Sequence, residues 1–138
     1  YPEIRYHEID HVEGSLVLET DDLAVCATPG DHAVPVVGLR FRDKRGAGVL
    51  VCSGDTERSA AITELARGAD LLVHEAAGGP PGHSSALDAA EVAREAGVGK
   101  LVLVHLPPGF DADASTIDEA RARFSALEVG HDGGRIGF

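Results

Sequence analysis

The fold is decided by the stretch Val49-Leu50-Val51-Cys52-Ser53-Gly54-Asp55-Thr56, in which four apolar residues precede a sharp polar turn. The apolar run is typical of a fully buried strand, and a helical pattern starts at Glu57 directly after the turn. In α/β proteins, ligands bind in the crevice outside the carboxyl ends of the strands. The order strand, turn, helix therefore places Asp55 where such proteins bind ligands, although Asp55 or Thr56 would also serve as an ordinary helix N-cap.

Two more apolar strands repeat this arrangement further along the chain. The run Asp70-Leu71-Leu72-Val73 leads into His74 and Glu75, and the run Lys100-Leu101-Val102-Leu103-Val104 leads into His105. Parallel strands present their carboxyl ends at one edge of a sheet, so we expect these side chains to share a rim with the first turn.

The other segments predict an antiparallel first half and helices between the later strands. Further strands are expected at 4–10, 16–19, 23–27 and 34–41, helices at 57–67, 86–96 and 116–124, and a closing hairpin from 127–129 and 135–138. Four cations near the third turn, Arg40, Arg42, Lys44 and Arg45, are interpreted as a solvated hairpin end. The predicted fold class is α/β, a mixed β-sheet with helices on one face.

Composition restricts the classes of function. The 138 residues suffice for one domain with a core of its own, and the net charge of −11 argues against a broad nucleic-acid-binding face. No apolar run approaches the ~20 residues of a membrane span, so no membrane partner is expected. Cys26 and Cys52 each fall inside an apolar strand, which is typical of reduced, buried thiols in a cytoplasmic protein.

Histidines and carboxylates collect in the predicted loops. They are Asp55, His74 with Glu75, and His105 at strand ends, and His32 and His83 in neighbouring loops. Any one of them alone would be an ordinary surface or core residue. Imidazole and carboxylate are the groups that borderline and hard divalent cations accept, and their repeated placement at strand ends predicts a metal site.

In these pieces the sequence resembles the C-terminal half of a metallo-β-lactamase-fold hydrolase of the ribonuclease Z-like branch. The matching pieces, in order, are His32 with 34–40, Ser53-Gly54-Asp55-Thr56, Val73-His74-Glu75-Ala76, His83-Ser84-Ser85 and Leu103-Val104-His105. The resemblance implies that residues 1–138 form a single partial domain, one half of an αββα sandwich. It also implies that the N-terminal half, with its His-x-His-x-Asp-His metal motif, is absent from this sequence.

The resemblance further implies a role for each matched side chain. His32 and His105 align with histidine metal ligands, and Asp55 aligns with the carboxylate that bridges two metal ions. Glu75 and His83 fall where that branch keeps a carboxylate-oriented histidine that protonates the leaving group; the alternative is a loop ion pair at a helix start. The complete domain would hold two divalent ions, zinc or alternatively manganese, whereas the isolated chain is expected to bind metal poorly and to turn over little.

The expected activity is hydrolysis of a small phosphodiester or nucleotide by a metal-activated water. Many tRNA-processing relatives carry a long arm where this chain joins His32 to Asp55 by only a strand, a turn and a strand. The residues after His105 are Leu106-Pro107-Pro108-Gly109, not the aromatic and basic ending of those enzymes. Transfer-RNA 3′ processing is therefore the alternative, with RNA disfavoured as a partner.

A non-catalytic α/β assembly module is a third possibility. In either case, a half-sandwich leaves one sheet face uncovered. A homodimer, or pairing with the missing N-terminal half, is therefore expected.

Overall fold

The computed structural model describes residues 3–46, 48–79, 81–109 and 114–137. Its strands and helices, in chain order, are β1 (Ser15–Glu19), β2 (Leu23–Pro29), β3 (Val37–Asp43), β4 (Val49–Cys52), α1 (Ala60–Ala66), β5 (Leu71–Glu75), α2 (Ala86–Ala96), β6 (Lys100–Val104), α3 (Ala114–Arg123) and β7 (Leu127–Val129). Within these ranges no helix is both long and apolar enough to cross a membrane.

One seven-stranded sheet organises the described part of the chain, with the strands side by side in sequence order. Strands β1 to β4 pair antiparallel, and β4 to β7 pair parallel. A helix connects each parallel pair, as a crossover between parallel strands requires. The predicted α/β class, a meander followed by alternating strands and helices, is confirmed.

The hydrophobic core lies between the sheet and the helices. Val51, Leu72 and Leu101 sit opposite one another in the register of β4, β5 and β6, so their side chains share one face. All three are fully buried, together with Ile62 of α1 and Val92 of α2. The helices therefore cover this face of the sheet, as predicted.

The other face of the sheet carries a group of half-buried apolar side chains, beside others that are buried, such as Val25 and Val102. Its central strands carry Leu39, Phe41, Leu50, Cys52 and Val73, which pair across β3, β4 and β5. No described helix packs over this group, which we call the open face.

Helix α2 has the bounds that the sequence predicts, because both of its ends carry strong local signals. Ser85 and Asp88 form a capping box, in which the Ser85 side chain accepts from the Asp88 N–H and the Asp88 side chain accepts from the Ser85 N–H. Gly97 ends the helix in the left-handed conformation, with φ of 64°.

The predicted strand at 4–10 and the predicted hairpin arm at 135–138 are wrong. Described residues 3–10 form no strand, and Tyr6 is 90% exposed, since alternation without a partner strand gives no ladder. Residues 135–137 are likewise irregular, and residue 138 lies outside the described residues. Strand β7 pairs with β6 in parallel instead of closing a hairpin.

Other boundaries shift for local reasons. Strand β3 begins at Val37 rather than residue 34, because Pro35 has no N–H to give to a ladder. Helix α1 begins at Ala60 rather than residue 57, because the backbone and side chain of Glu57 bond to loops instead. Helix α3 begins at Ala114, so Thr116 lies inside it and is not its cap.

Arg40 is not part of a solvated hairpin end. Its guanidinium donates to the carbonyl oxygens of Leu65 at 2.6 Å and Arg67 at 3.1 Å, at the carboxyl end of α1. A cation is favourable there, because the last carbonyls of a helix lack intrahelical partners and carry partial negative charge. Arg40 thus fixes α1 to the sheet.

Candidate metal centre

Five of the six side chains that the sequence placed at a common rim lie together. Asp55 follows β4, Glu75 ends β5, and His105 follows β6. His83 stands in the loop before α2, and His32 in the loop between β2 and β3. Parallel pairing of β4, β5 and β6 brings the first three to one edge, as expected from the strand order.

Asp55 and His105 contact each other directly. Oδ1 of Asp55 lies 3.0 Å from Nδ1 of His105, and both side chains remain accessible at this edge. His105 is the one described non-glycine residue with positive φ, at 50°. Such a conformation costs energy and is concentrated at functional sites; here it occurs directly after β6, at the residue whose ring contacts Asp55.

The turn before Asp55 requires its glycine. Gly54 has φ of +65°, and a Cβ there would lie 2.8 Å from the carbonyl oxygen of Val37. Any other residue would push β3 away from the turn. The Ser-Gly-Asp sequence thus allows the backbone to turn tightly enough to present Asp55.

Glu75 is the polar centre of the site and is only 2% exposed. Its Oε1 accepts from the N–H groups of Thr56 and Ser84, each at 3.0 Å, and lies 3.0 Å from Nδ1 of His83. Its Oε2 accepts from the N–H of Ala77 at 2.8 Å. Four donors thus satisfy a buried carboxylate and tie the β4 turn, β5 and the loop before α2 together.

The three histidines form a row. The ring centroids of His32 and His83 are 4.9 Å apart with an interplanar angle of 68°, and those of His83 and His105 are 5.3 Å apart at 78°. Nδ1 of His32 lies 2.6 Å from the carbonyl oxygen of Gly82. His83 therefore stands between the two predicted metal ligands of the row.

Each ring uses Nδ1 for a contact inside the protein. The partners are oxygens that only accept: the Gly82 carbonyl for His32 and carboxylates for His83 and His105. Nδ1 must therefore carry the hydrogen in these contacts, which leaves Nε2 of each ring for an external partner. A metal-binding histidine is normally held in this way.

Two groups of donor atoms lie close enough together to hold a divalent cation, and each combines His83 with one of its two neighbours in the row. The ligand atoms of His32, Asp55 and His83 all lie within 4.8 Å of one another, and so do those of Glu75, His83 and His105. Nitrogen and oxygen donors of this kind suit zinc and also manganese. His83 belongs to both groups, although its predicted role is catalytic and not that of a ligand.

His74 does not belong to the site, although its position at a strand end suggested that it would. Successive residues of a strand point to opposite faces of the sheet. The ring of His74 therefore lies on the face that the helices cover, whereas the Glu75 side chain points to the opposite face and joins the site. The ring is fully buried, its Nδ1 lies 2.8 Å from the carbonyl oxygen of Glu75, and its Nε2 has no partner. Burial lowers the pKa of His74.

Comparison with solved structures identifies the class of fold. No protein-family model matches the chain. The metallo-β-lactamase fold protein YhfI from Bacillus subtilis matches with a TM-score of 0.73 and 28% identity, over 82% of this chain and 48% of that chain. The short form of human tRNase Z matches with a TM-score of 0.67 and 22% identity, over 86% of this chain and 44% of that chain. The chain therefore has the metallo-β-lactamase fold.

Sequence similarity indicates the branch. Ribonuclease Z from Brevibacillus brevis is 46% identical over 101 residues, which cover 63% of this chain and 32% of that protein. The chain thus has the metallo-β-lactamase fold and is similar in sequence to ribonuclease Z, which confirms the resemblance. It spans about one third of the length of this curated relative.

Proposed function

We propose that the full-length protein is a metal-dependent hydrolase of the metallo-β-lactamase superfamily that processes the 3′ end of transfer RNA precursors. The observation that carries the proposal is the 46% identity to a ribonuclease Z. This reverses the order expected from the sequence, where a small phosphodiester came first. The free thiols of Cys26 and Cys52 and the proposed substrate favour a cytoplasmic location.

Residues 1–138 are the C-terminal half of the αββα sandwich in this proposal. The open face supports it, because Leu39, Phe41 and Leu50 are only half-buried there although they lie at the middle of the sheet. An N-terminal half packed on this face would complete both the core and the ligand set. A homodimer is the alternative cover, and the isolated chain is expected to turn over little.

His32, Asp55 and His105 are the proposed metal ligands of this half. A carboxylate has two oxygens, whereas each ring has one nitrogen left, so Asp55 alone among the three would offer two ligand atoms to a metal centre. Zinc is the expected metal and manganese the alternative. When bound, a pair of such ions supplies hydroxide at neutral pH and stabilises charge on the phosphoryl oxygens.

His83 is the proposed general acid. Its Nδ1–H donates to Glu75, which fixes the ring orientation and offsets the charge that the ring carries when it is protonated. A proton on Nε2 then passes to the leaving oxygen as the P–O bond breaks, and the ring becomes neutral. Glu75 can hold this position because its three backbone N–H partners keep it in place.

Hydrolysis of a small phosphodiester is the second candidate. It is favoured by the connection between His32 and Asp55, which consists only of β3, a turn and β4 around short loops. The net charge of −11 also offers little attraction for a polyanion.

The two candidates are separated by supplying the full-length protein with zinc or manganese. A transfer RNA precursor with a 3′ trailer, bis-p-nitrophenyl phosphate and a cyclic nucleotide are then compared as substrates, with Asp55→Ala as the control. Cleavage of the precursor at a single 3′ position, lost in the control, supports the proposal. Cleavage of the small esters without the precursor supports the second candidate. No metal-dependent cleavage of any substrate contradicts both.

A further inference from the structure

Glu57 holds the piece of backbone to which His32 is bonded. We propose that Glu57 is a positioning residue for His32, acting through the peptide groups of Gly82. The inference rests on the metal centre proposed above, where Glu57 and Gly82 have no ligand or catalytic role of their own. It follows from a chain of hydrogen bonds between segments that are distant in sequence.

Gly82 is bonded on both sides. Its N–H donates to Oε1 of Glu57 at 2.7 Å, and its carbonyl oxygen accepts from Nδ1–H of His32 at 2.6 Å. Gly82 is itself buried. The carboxylate of Glu57 therefore fixes the residue whose carbonyl fixes the His32 ring.

The conformation of Gly82 makes this contact possible. Its φ is +87°, a region that side-chain-bearing residues rarely adopt, and a Cβ at this position would lie 2.8 Å from Nδ1 of His32. The ring thus packs against the bare backbone of the loop. A side chain at this position would displace the ring from the carbonyl.

Glu57 also bonds to Asp31, the residue that precedes His32 in the chain. Its backbone N–H donates to the carbonyl oxygen of Asp31 at 2.8 Å, and the N–H of Asp31 donates to Oγ1 of Thr56 at 2.9 Å. The Thr56 side chain and the Glu57 backbone therefore hold Asp31, which precedes His32 in the chain. The Glu57 side chain holds Gly82, whose carbonyl oxygen accepts from the His32 ring. Both the Cα position and the ring orientation of His32 depend on this segment.

The consequence for metal binding is chemical. A carbonyl oxygen only accepts, so its contact keeps hydrogen on Nδ1 of His32 and the lone pair on Nε2, where a metal ion needs it. Loss of such an outer partner typically weakens metal binding by about 10–100-fold. His83 follows Gly82 directly, so the same carboxylate also restrains the loop that carries the proposed general acid.

The test measures the ring of His32 and the affinity for zinc, without any assay of activity. The full-length protein is compared with Glu57→Ala, Glu57→Gln and a control, Glu64→Ala. The Glu64 side chain is 65% exposed on α1, and its carboxylate pairs with Arg67. ¹⁵N–¹H NMR of the metal-free proteins reports which ring nitrogen of His32 carries hydrogen. Competition with a chromophoric chelator gives the zinc affinity.

In the unsubstituted protein, the His32 ring is expected to carry its hydrogen on Nδ1. In Glu57→Ala, a mixture of the Nδ1–H and Nε2–H tautomers is expected. Zinc affinity should fall about 10–100-fold in Glu57→Ala and recover to within a few-fold in Glu57→Gln, which keeps an acceptor oxygen. Gly82→Ala should reproduce the loss, whereas Gly79→Ala, with φ of +102° and open space for a Cβ, should not. If Glu57→Ala fails to fold, the comparison of Gly82→Ala with Gly79→Ala decides whether the contact at Gly82 supports zinc binding.

The proposal is overturned if His32 of the unsubstituted protein lacks hydrogen on Nδ1. It is also overturned if Glu57→Ala and Gly82→Ala bind zinc as tightly as their controls. A protein that binds zinc, responds to Glu57→Ala and cleaves no phosphodiester contradicts the proposed function and supports the positioning role. The two failures are therefore distinguishable.

Discussion

Nδ1 of His105 lies 3.0 Å from Oδ1 of Asp55, although fifty residues separate them in the sequence. The sheet register explains the contact: Cys52 of β4 is level with Val73 of β5, and Glu75 of β5 is level with Val104 of β6. Each strand thus stops at nearly the same height. The polar residues at the carboxyl end of one strand are therefore held beside those at the carboxyl end of its neighbour.

Asp55→Ala should remove both metal and activity. A metal ion supplies several kcal/mol of transition-state stabilisation, so a fall of more than about 100-fold in kcat/KM is expected in the full-length protein. Metal content by elemental analysis should fall in parallel. Asp118→Ala, at a carboxylate that is 76% exposed on α3, is the matched control and should change neither quantity. Full metal content in Asp55→Ala would show that Asp55 is not a required ligand.

His83→Ala should separate proton transfer from metal binding. General-acid catalysis is typically worth about 10²–10⁴-fold, so kcat on a substrate with an alkoxide leaving group should fall within that range. Hydrolysis of bis-p-nitrophenyl phosphate should fall much less, because its leaving group needs no proton. Elemental analysis should find unchanged metal content. Loss of metal instead would make His83 a ligand, as its membership of both donor groups allows.

Glu75→Ala should destabilise the fold. It leaves the buried N–H groups of Thr56 and Ser84 and the half-buried N–H group of Ala77 without their acceptor, and each unpaired buried donor costs about 1–3 kcal/mol. A loss of at least about 3 kcal/mol in the free energy of unfolding is expected by denaturant titration. Glu128→Ala, at an exposed ion pair with Lys100, should change it by less than about 1 kcal/mol. Equal effects of the two substitutions would contradict the role given to Glu75.

His74 should make the protein less stable in acid. Burial lowers its pKa in the folded state, so below the unfolded-state pKa of about 6.5 the unfolded chain binds more protons than the folded one. The contribution of the neutral His74 ring to the free energy of unfolding is therefore fully present above about pH 6.5 and is lost as pH falls below that value. Replacing the ring by His74→Leu should reduce the difference in unfolding free energy between about pH 7.5 and pH 5. The control His131→Gln, at an exposed site, should keep the full difference in unfolding free energy between the two pH values. The same full difference in His74→Leu would contradict the acid sensitivity attributed to His74.

The parts of the fold that the sequence predicts are those with local signals. Strand β6 and helix α2 have the predicted bounds because an uninterrupted apolar run and a capping box with a terminal glycine define them. The alternating segment 4–10 carries an equally clear pattern but has no strand to pair with, and pairing is not encoded locally. The strand predictions that fail, at 4–10 and 135–137, are therefore those whose segments find no partner strand.

The residues of the site also divide into those that local sequence signals predict and those that they do not. Asp55, Glu75 and His105 could be found because each lies at the carboxyl end of an apolar strand in the parallel part of the sheet. His74 was misplaced because a count of strand ends does not say which face a side chain takes. Glu57 was missed because it stands where a helix was expected to begin, and its partner Gly82 lies 25 residues away in a loop with positive φ.

The metal centre is tested most directly by anomalous X-ray diffraction at the zinc edge, on crystals of the full-length protein grown with zinc. The expected result is an anomalous peak at bonding distance, about 2.0–2.2 Å, from an oxygen of Asp55 and a nitrogen of His105, with His32 ligating in the same centre. A map without a peak at bonding distance from Asp55 would contradict the assignment.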